Sequence, residues 1–116
     1  MKVPKYDEMY NVYLEVLSDK KEHESKEIKE EIAKKLKLSE EDMIDPLNSE
    51  MNILYCRLYW TTTYLKHAGL IDTNKKGIFF ITEEGEKVYN KDKIDNKYLL
   101  KYPSFVEFIN KKIIKE

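Results

Sequence analysis

Two adjoining stretches decide the fold: Thr63-Tyr-Leu-Lys-His-Ala-Gly-Leu-Ile71, and Asn74-Lys-Lys-Gly-Ile-Phe-Phe-Ile-Thr-Glu-Glu-Gly85. Gly69 follows a helical run and can take the left-handed conformation that closes a helix without a Cβ penalty. Lys66 and His67 stand in the last turn, where positive charge suits the exposed carbonyls. Leu70-Ile71 and Ile78–Ile81 are short, β-prone apolar runs, and the polar turn between them holds Asn74 and Gly77. Thr82 is placed to cap a new helix, with Glu83 and Glu84 at its positive end. Helix, strand, lysine-tipped turn, strand and helix form the back half of a winged helix. That architecture lays one helix in a DNA groove and a hairpin beside it.

The surrounding chain sets bounds on this reading. Its 116 residues suit one domain over 1–116, large enough to bury a real core. No apolar run reaches the ~20 residues of a membrane span, and Met1–Tyr6 lacks the apolar centre of a signal peptide. Cys56 is the single cysteine, so an internal disulfide and a thiolate metal cluster are both excluded. A cytoplasmic location is the default expectation. The net charge is −1, and a dedicated nucleic-acid binder more often carries a basic excess. Charge is unevenly spread, however. Acidic residues crowd Glu22–Glu50, whereas Lys66, His67, Lys75 and Lys76 form a small basic island.

Outward from the hairpin, apolar spacing places a long helix over about Ser49–Ala68. Leu54, Leu58, Thr61, Leu65 and Ala68 share its inward stripe. Asn52, Cys56, Tyr59, Thr63, Lys66 and His67 lie opposite, with Arg57, Trp60 and Tyr64 on the flank. Upstream, Tyr6 to Leu17 predicts a first helix over about 6–18. Ser25 is expected to cap a second, with Ile28, Ile32, Ala33 and Leu36 inward. Ser39-Glu-Glu-Asp42 has capping-box spacing and starts a short turn that Pro46 ends. Downstream, a helix over about 83–90 precedes two more at 94–102 and 105–114, hinged at Pro103. Phe105, Phe108, Ile109 and Ile113 give the last one an apolar stripe, expected to pack on the first helix. The fold class is therefore α+β, mainly helical: a winged helix-turn-helix with additional C-terminal helices.

Arg57-x-x-Trp60-x-x-x-Tyr64-Leu65-Lys66-x-Ala68-Gly69-Leu70-Ile71, then Lys76-Gly77 and Ile81-Thr82-x-x-Gly85, resembles the N-terminal domain of Mrr-type restriction proteins. Val3-Pro4-x-Tyr6-Asp7-x-Met9, Ser39–Asp42 and Tyr102-Pro103-x-Phe105 extend the likeness over nearly the whole chain. The resemblance implies a winged helix that contacts double-stranded DNA, including DNA with modified bases. It also implies a nuclease domain or subunit as a partner, and none is expected within residues 1–116. Cys56 and Tyr59 stand where relatives tend to have Asn and Gly, and Thr61-Thr62 replaces an Ala followed by a basic residue.

Catalytic alternatives are poor. Glu24-x-Lys26 and Glu27-x-Lys29 match the letters of a nuclease pair, as chance alone delivers in a chain this rich in Glu and Lys. Neither belongs to a core strand. His23 and His67 fall in different elements, and Cys56 is eleven residues from His67, too far to share a proton. No metal site, cofactor site or glycine-rich phosphate loop is expected. The expected DNA-binding residues are Asn52, Arg57, Tyr59, Thr63, Lys66, Lys75 and Lys76, with helix 49–68 in the major groove and hairpin 70–82 on the backbone. Arg57 and the hairpin lysines also have plainer roles. Arg57 either clamps phosphate or pairs with an acid of the second helix, and a lysine-bearing tip also keeps a turn soluble. Trp60 either stacks on an extruded base or, as favoured here, packs in the core or on the hairpin. The competing function is a protein-interaction module, which the net charge favours.

Overall fold

The computed structural model describes residues 3–45 and 47–115, without the side chains of 49, 50 and 112–115. Pro46, expected to end the turn after Ser39, and the side chain of Ile113 lie outside the described residues. The fold is α+β and mainly helical, with two small antiparallel sheets.

Its longest element is the helix α4, Ile53–Ala68, and the reasons for its ends are visible. Asn52 caps the start, its Oδ1 accepting the Tyr55 N–H at 3.0 Å. Gly69 ends it in the left-handed region, φ 85°, while the Leu70 N–H returns to the Leu65 carbonyl at 3.0 Å. Leu54, Leu58, Thr61, Leu65 and Ala68 are all buried, as the 3.6-residue spacing predicts. Burial of each aliphatic side chain contributes about 1.5–3 kcal/mol before chain entropy is charged against it. The buried Thr61 hydroxyl is satisfied by the Tyr6 carbonyl at 2.8 Å.

The expected start at Ser49 is corrected, because Asn48–Asn52 is a strand. This strand, β3, pairs with β2, Ile44–Asp45, directly after the short helix α3, Glu40–Met43. The capping box of α3 forms as expected, with reciprocal Ser39–Asp42 bonds of 2.9 and 3.1 Å. Asn48–Asn52 carries no alternation of apolar residues, so nothing in its sequence announces a strand.

The first expected helix is likewise split. A 3-10 turn at Tyr6–Glu8 breaks at Met9 before α1, Tyr10–Val16. Helix α2, Ser25–Lys35, begins one residue earlier than a Ser25 cap would give. Ahead of it, His23–Glu24 forms β1, a strand too short to show a period. It adds to the hairpin of β4, Ile71–Lys75, and β5, Ile78–Ile81, giving the order β1-β5-β4. His23 stands opposite Phe79, and Ile71 opposite Ile81. Gly77 turns the hairpin at φ 82°.

Thr82 caps α5, Glu83–Val88, by accepting the Gly85 N–H, and its own hydroxyl donates to the Gly69 carbonyl at 2.6 Å. Asn11 then fastens the next connection, bonding the Tyr89 and Asp92 carbonyls and the Ile94 N–H, each at 2.8 Å. Helix α6, Asn96–Leu99, is capped by Asp95. Pro103 is the first residue of α7, Pro103–Lys115, rather than a hinge between helices. The apolar stripe of α7 packs on α4, not on the first helix as expected. Phe105 and Phe108 meet Tyr64 edge-on, and Phe108 stacks on His67 at 3.8 Å.

Candidate nucleic-acid interface

Between α2, α4 and the hairpin turn lies an open cleft of about 500 Å³. Each wall follows from local sequence. Helix α2 supplies Ser25, Ile28 and Lys29; α4 supplies Tyr55, Leu58, Tyr59, Thr62, Thr63, Lys66 and His67; the hairpin supplies Lys76, Gly77 and Phe79. Tyr13 closes the floor from α1. The α2 and hairpin walls are joined where the Ser25 N–H donates to the Gly77 carbonyl at 2.8 Å.

The charge of this lining differs from that of the chain. Lys29, Lys66 and Lys76 line it, and among the described residues no Asp or Glu does, although the chain holds 22 acidic residues against 21 basic ones. Among the described residues, none of these three lysines has an ion-pair partner. Lys29 instead places Nζ 3.8 Å from the centre of the Tyr55 ring, and burial lowers its pKa. Cation–π contact compensates part of that desolvation. Three of the acids of 22–50 are engaged elsewhere: Glu27 binds His23, Glu31 pairs with Lys34, and the Asp42 carboxylate accepts the Ser39 N–H in the capping box of α3.

Of the residues expected to touch DNA, Tyr59, Thr63, Lys66 and Lys76 come together in this cleft. Tyr59 is 65% exposed, and the Thr63 hydroxyl is turned to the Tyr59 carbonyl at 2.9 Å. Lys75 is exposed at the end of β4, beside the cleft residue Lys76. Asn52 is at the mouth of α4 with its side-chain oxygen engaged as the cap. Arg57 is half-buried, and its guanidinium donates to the carbonyls of Val3 and Pro4 at 2.6 and 3.1 Å, holding the N-terminal segment on α4. Trp60 does not join the buried core. It stays 40% exposed and meets Tyr59 and Tyr64 edge-on.

The sequence passed over Lys29, Tyr55, Thr62 and Phe79 as site residues. Lys29 sits in a run of Lys and Glu that reads as a solvated face, and only the approach of α4 gives it an aromatic neighbour. Tyr13, on the first helix, is 1% exposed. Burial raises its pKa, while the hydrogen bond from the Thr62 hydroxyl, 2.8 Å, works the other way.

The Glu-x-Lys letters separate in space by role. Glu24 is in β1, Glu27 holds His23, and Lys29 covers Tyr55. No group of three or more His, Cys, Asp or Glu able to hold a metal exists among the described residues. No helix among them is long and apolar enough to cross a membrane.

Fold and cleft together define a small, mainly helical α+β domain with a basic groove. Residues 6–91 match the Mrr N-terminal domain, and the chain belongs to that family. No curated protein and no solved structure matches it.

Proposed function

We propose that this chain is a non-catalytic, double-stranded DNA-binding module of an Mrr-like restriction system, built as a winged helix. In this reading α4 enters the major groove and the β4–β5 hairpin lies along the backbone. The order α1, β1, α2, α4, β4, β5, with β1 completing the hairpin sheet, supports the winged-helix assignment. A single observation carries the DNA reading: a cleft lined by three lysines and, among the described residues, by no carboxylate, in a chain of net charge −1. Low-dielectric walls bearing one sign of charge focus the field and concentrate an anionic partner. Membership of the Mrr N-terminal family supplies the setting, in which cleavage belongs to a separate nuclease domain or subunit.

A second reading rests on a different surface. Ile44, Leu47 and Met51 on β2–β3 and the turn between them are 43%, 96% and 42% exposed. Apolar side chains grouped on a hairpin suit a protein partner better than phosphate. A mobility-shift assay with duplex DNA at low and moderate salt separates the two. Retardation at low salt that weakens with added salt supports the DNA module, and none at low salt leaves the β2–β3 hairpin as the docking feature.

A further inference from the structure

Phosphate contact requires only cations at a surface, yet the basic cleft is recessed. Its volume, about 500 Å³, falls in the ~300–1,000 Å³ range of small-ligand sites. Tyr13, Ile28 and Leu58 are 1%, 1% and 2% exposed and form an apolar floor. The rings of Tyr59 and Phe79 also line it, as does the Lys29–Tyr55 cation–π pair. Hydrogen-bonding capacity also remains at the floor. The Tyr13 and Thr62 hydroxyls share one bond between them, so one hydroxyl proton and lone pairs on both oxygens are left for an entering group.

Three requirements follow for an occupant. It must present a flat ring to aromatic walls, an anion to lysines that have no ion-pair partner among the described residues, and a polar edge to a hydroxyl pair. A nucleotide meets all three. We infer that the cleft takes a single nucleotide, with its base against Tyr59 and Phe79 above the Tyr13–Thr62 pair and its phosphate at Lys66 and Lys76. The nucleotide comes either from solution or from a duplex that releases one base from its stack. The second source rests on the DNA-binding reading above. Aromatic walls serve it because every base has a π-face to stack.

Extrusion costs least at a mispaired base, which gives the test its contrast. Affinity of the full chain is measured by anisotropy for a matched duplex and for the same duplex with one central mismatch. Deoxyadenosine monophosphate is titrated separately, with the Tyr59 and Phe79 resonances followed by NMR. The expected result is mismatch binding about tenfold tighter than matched binding. Thr62→Trp, which fills the recess, brings that ratio to one, and the milder Thr62→Val reduces it. A saturable mononucleotide titration at Tyr59 and Phe79 without mismatch preference also supports the site and assigns it to free nucleotide, whether or not duplex binds. Equal affinities with a silent titration overturn the nucleotide site, and the DNA-binding reading survives because duplex is bound. No duplex binding together with a silent titration removes both.

Discussion

The backbone N–H of Ser25 donates to the carbonyl of Gly77 at 2.8 Å, so the first turn of α2 and the lysine-bearing turn of the hairpin are held as one unit. Ser25 is the first helical residue, and Glu24 before it is extended at φ −73°, ψ 148°. Proline is tolerated at that helical position and after that backbone conformation. Ser25→Pro therefore keeps α2 while deleting the donor and crowding the Gly77 oxygen. Expected are an unchanged helical signal in circular dichroism, faster amide exchange over residues 75–79, and weaker duplex binding. Unchanged exchange there would show that the tie does not position the hairpin.

A second close approach underlies α5. A Cβ on Gly85 would meet the Leu70 carbonyl oxygen at 2.2 Å and Ile81 Cγ1 at 2.7 Å. Backbone cannot yield as a flexible side chain can, so Gly85→Ala should cost at least ~1–3 kcal/mol. Gly69 offers the opposite case: φ is 85° and a Cβ there meets nothing within 4 Å. Gly69→Ala carries only the left-handed strain, ~1–2 kcal/mol. Urea denaturation of both variants checks the order, and the account fails if Gly69→Ala is the more damaging.

The core stripe of α4 predicts a third loss. Leu65 is fully buried, so Leu65→Ala should lower the unfolding free energy by ~2–5 kcal/mol, according to how far the site collapses. A loss below ~1 kcal/mol in the same urea assay would mean that the helix is not packed as described.

How far the sequence reached depended on the kind of signal. Gly69, Thr82 and the Leu54–Leu58–Leu65 stripe act through rules that operate within one element, and all three appear where expected. Residues 23–24 and 48–52 are strands only because β5 and β2 lie beside them, and neither carries a period. Asn52, placed by angle on the outer face of α4, is its cap, since the chain turns from strand to helix at that residue. The apolar stripe of α7 identified a packing face but not its partner, which is Tyr64 and His67 on α4. Within the cleft, Tyr59, Thr63 and Lys66 were visible because they share one helix face. Lys29 and Phe79 join them only through tertiary packing.

The two histidines should give stability opposite pH dependences. Burial alone would lower the pKa of His23, but hydrogen bonds with Asp19, at 2.8 Å, and Glu27 outweigh it and hold the pKa above 6.5. Its contribution is complete below the unfolded value near 6.5 and is lost as pH rises through the higher folded value. Asp19, lowered chiefly by that bond to His23, contributes above 3.8 and loses its share as pH falls through its folded pKa. His67 is lowered by burial against Phe108 and by Lys66, so its share is present above 6.5 and lost as pH falls through its depressed folded pKa. His23→Gln should remove a fall of stability as pH rises above 6.5, and His67→Gln should remove a rise of stability as pH climbs towards 6.5. Melting temperatures at several pH values decide, and slopes unchanged in both variants would contradict the assignments.

The claim that the cleft and hairpin form a DNA interface is tested most directly by the salt dependence of duplex binding. Each lysine that neutralises a phosphate releases condensed counterions, so loss of one flattens the log–log salt slope by about 1. With a net charge of −1, the chain should bind in the weak range of ~10⁻⁴–10⁻⁶ M at physiological salt. Anisotropy across a salt series, run on the wild type and on Lys66→Ala/Lys76→Ala, should show the slope flattened by about 2, with all duplex sequences weakened alike. Absent binding at low salt, or a slope that the double substitution leaves unchanged, would contradict the interface.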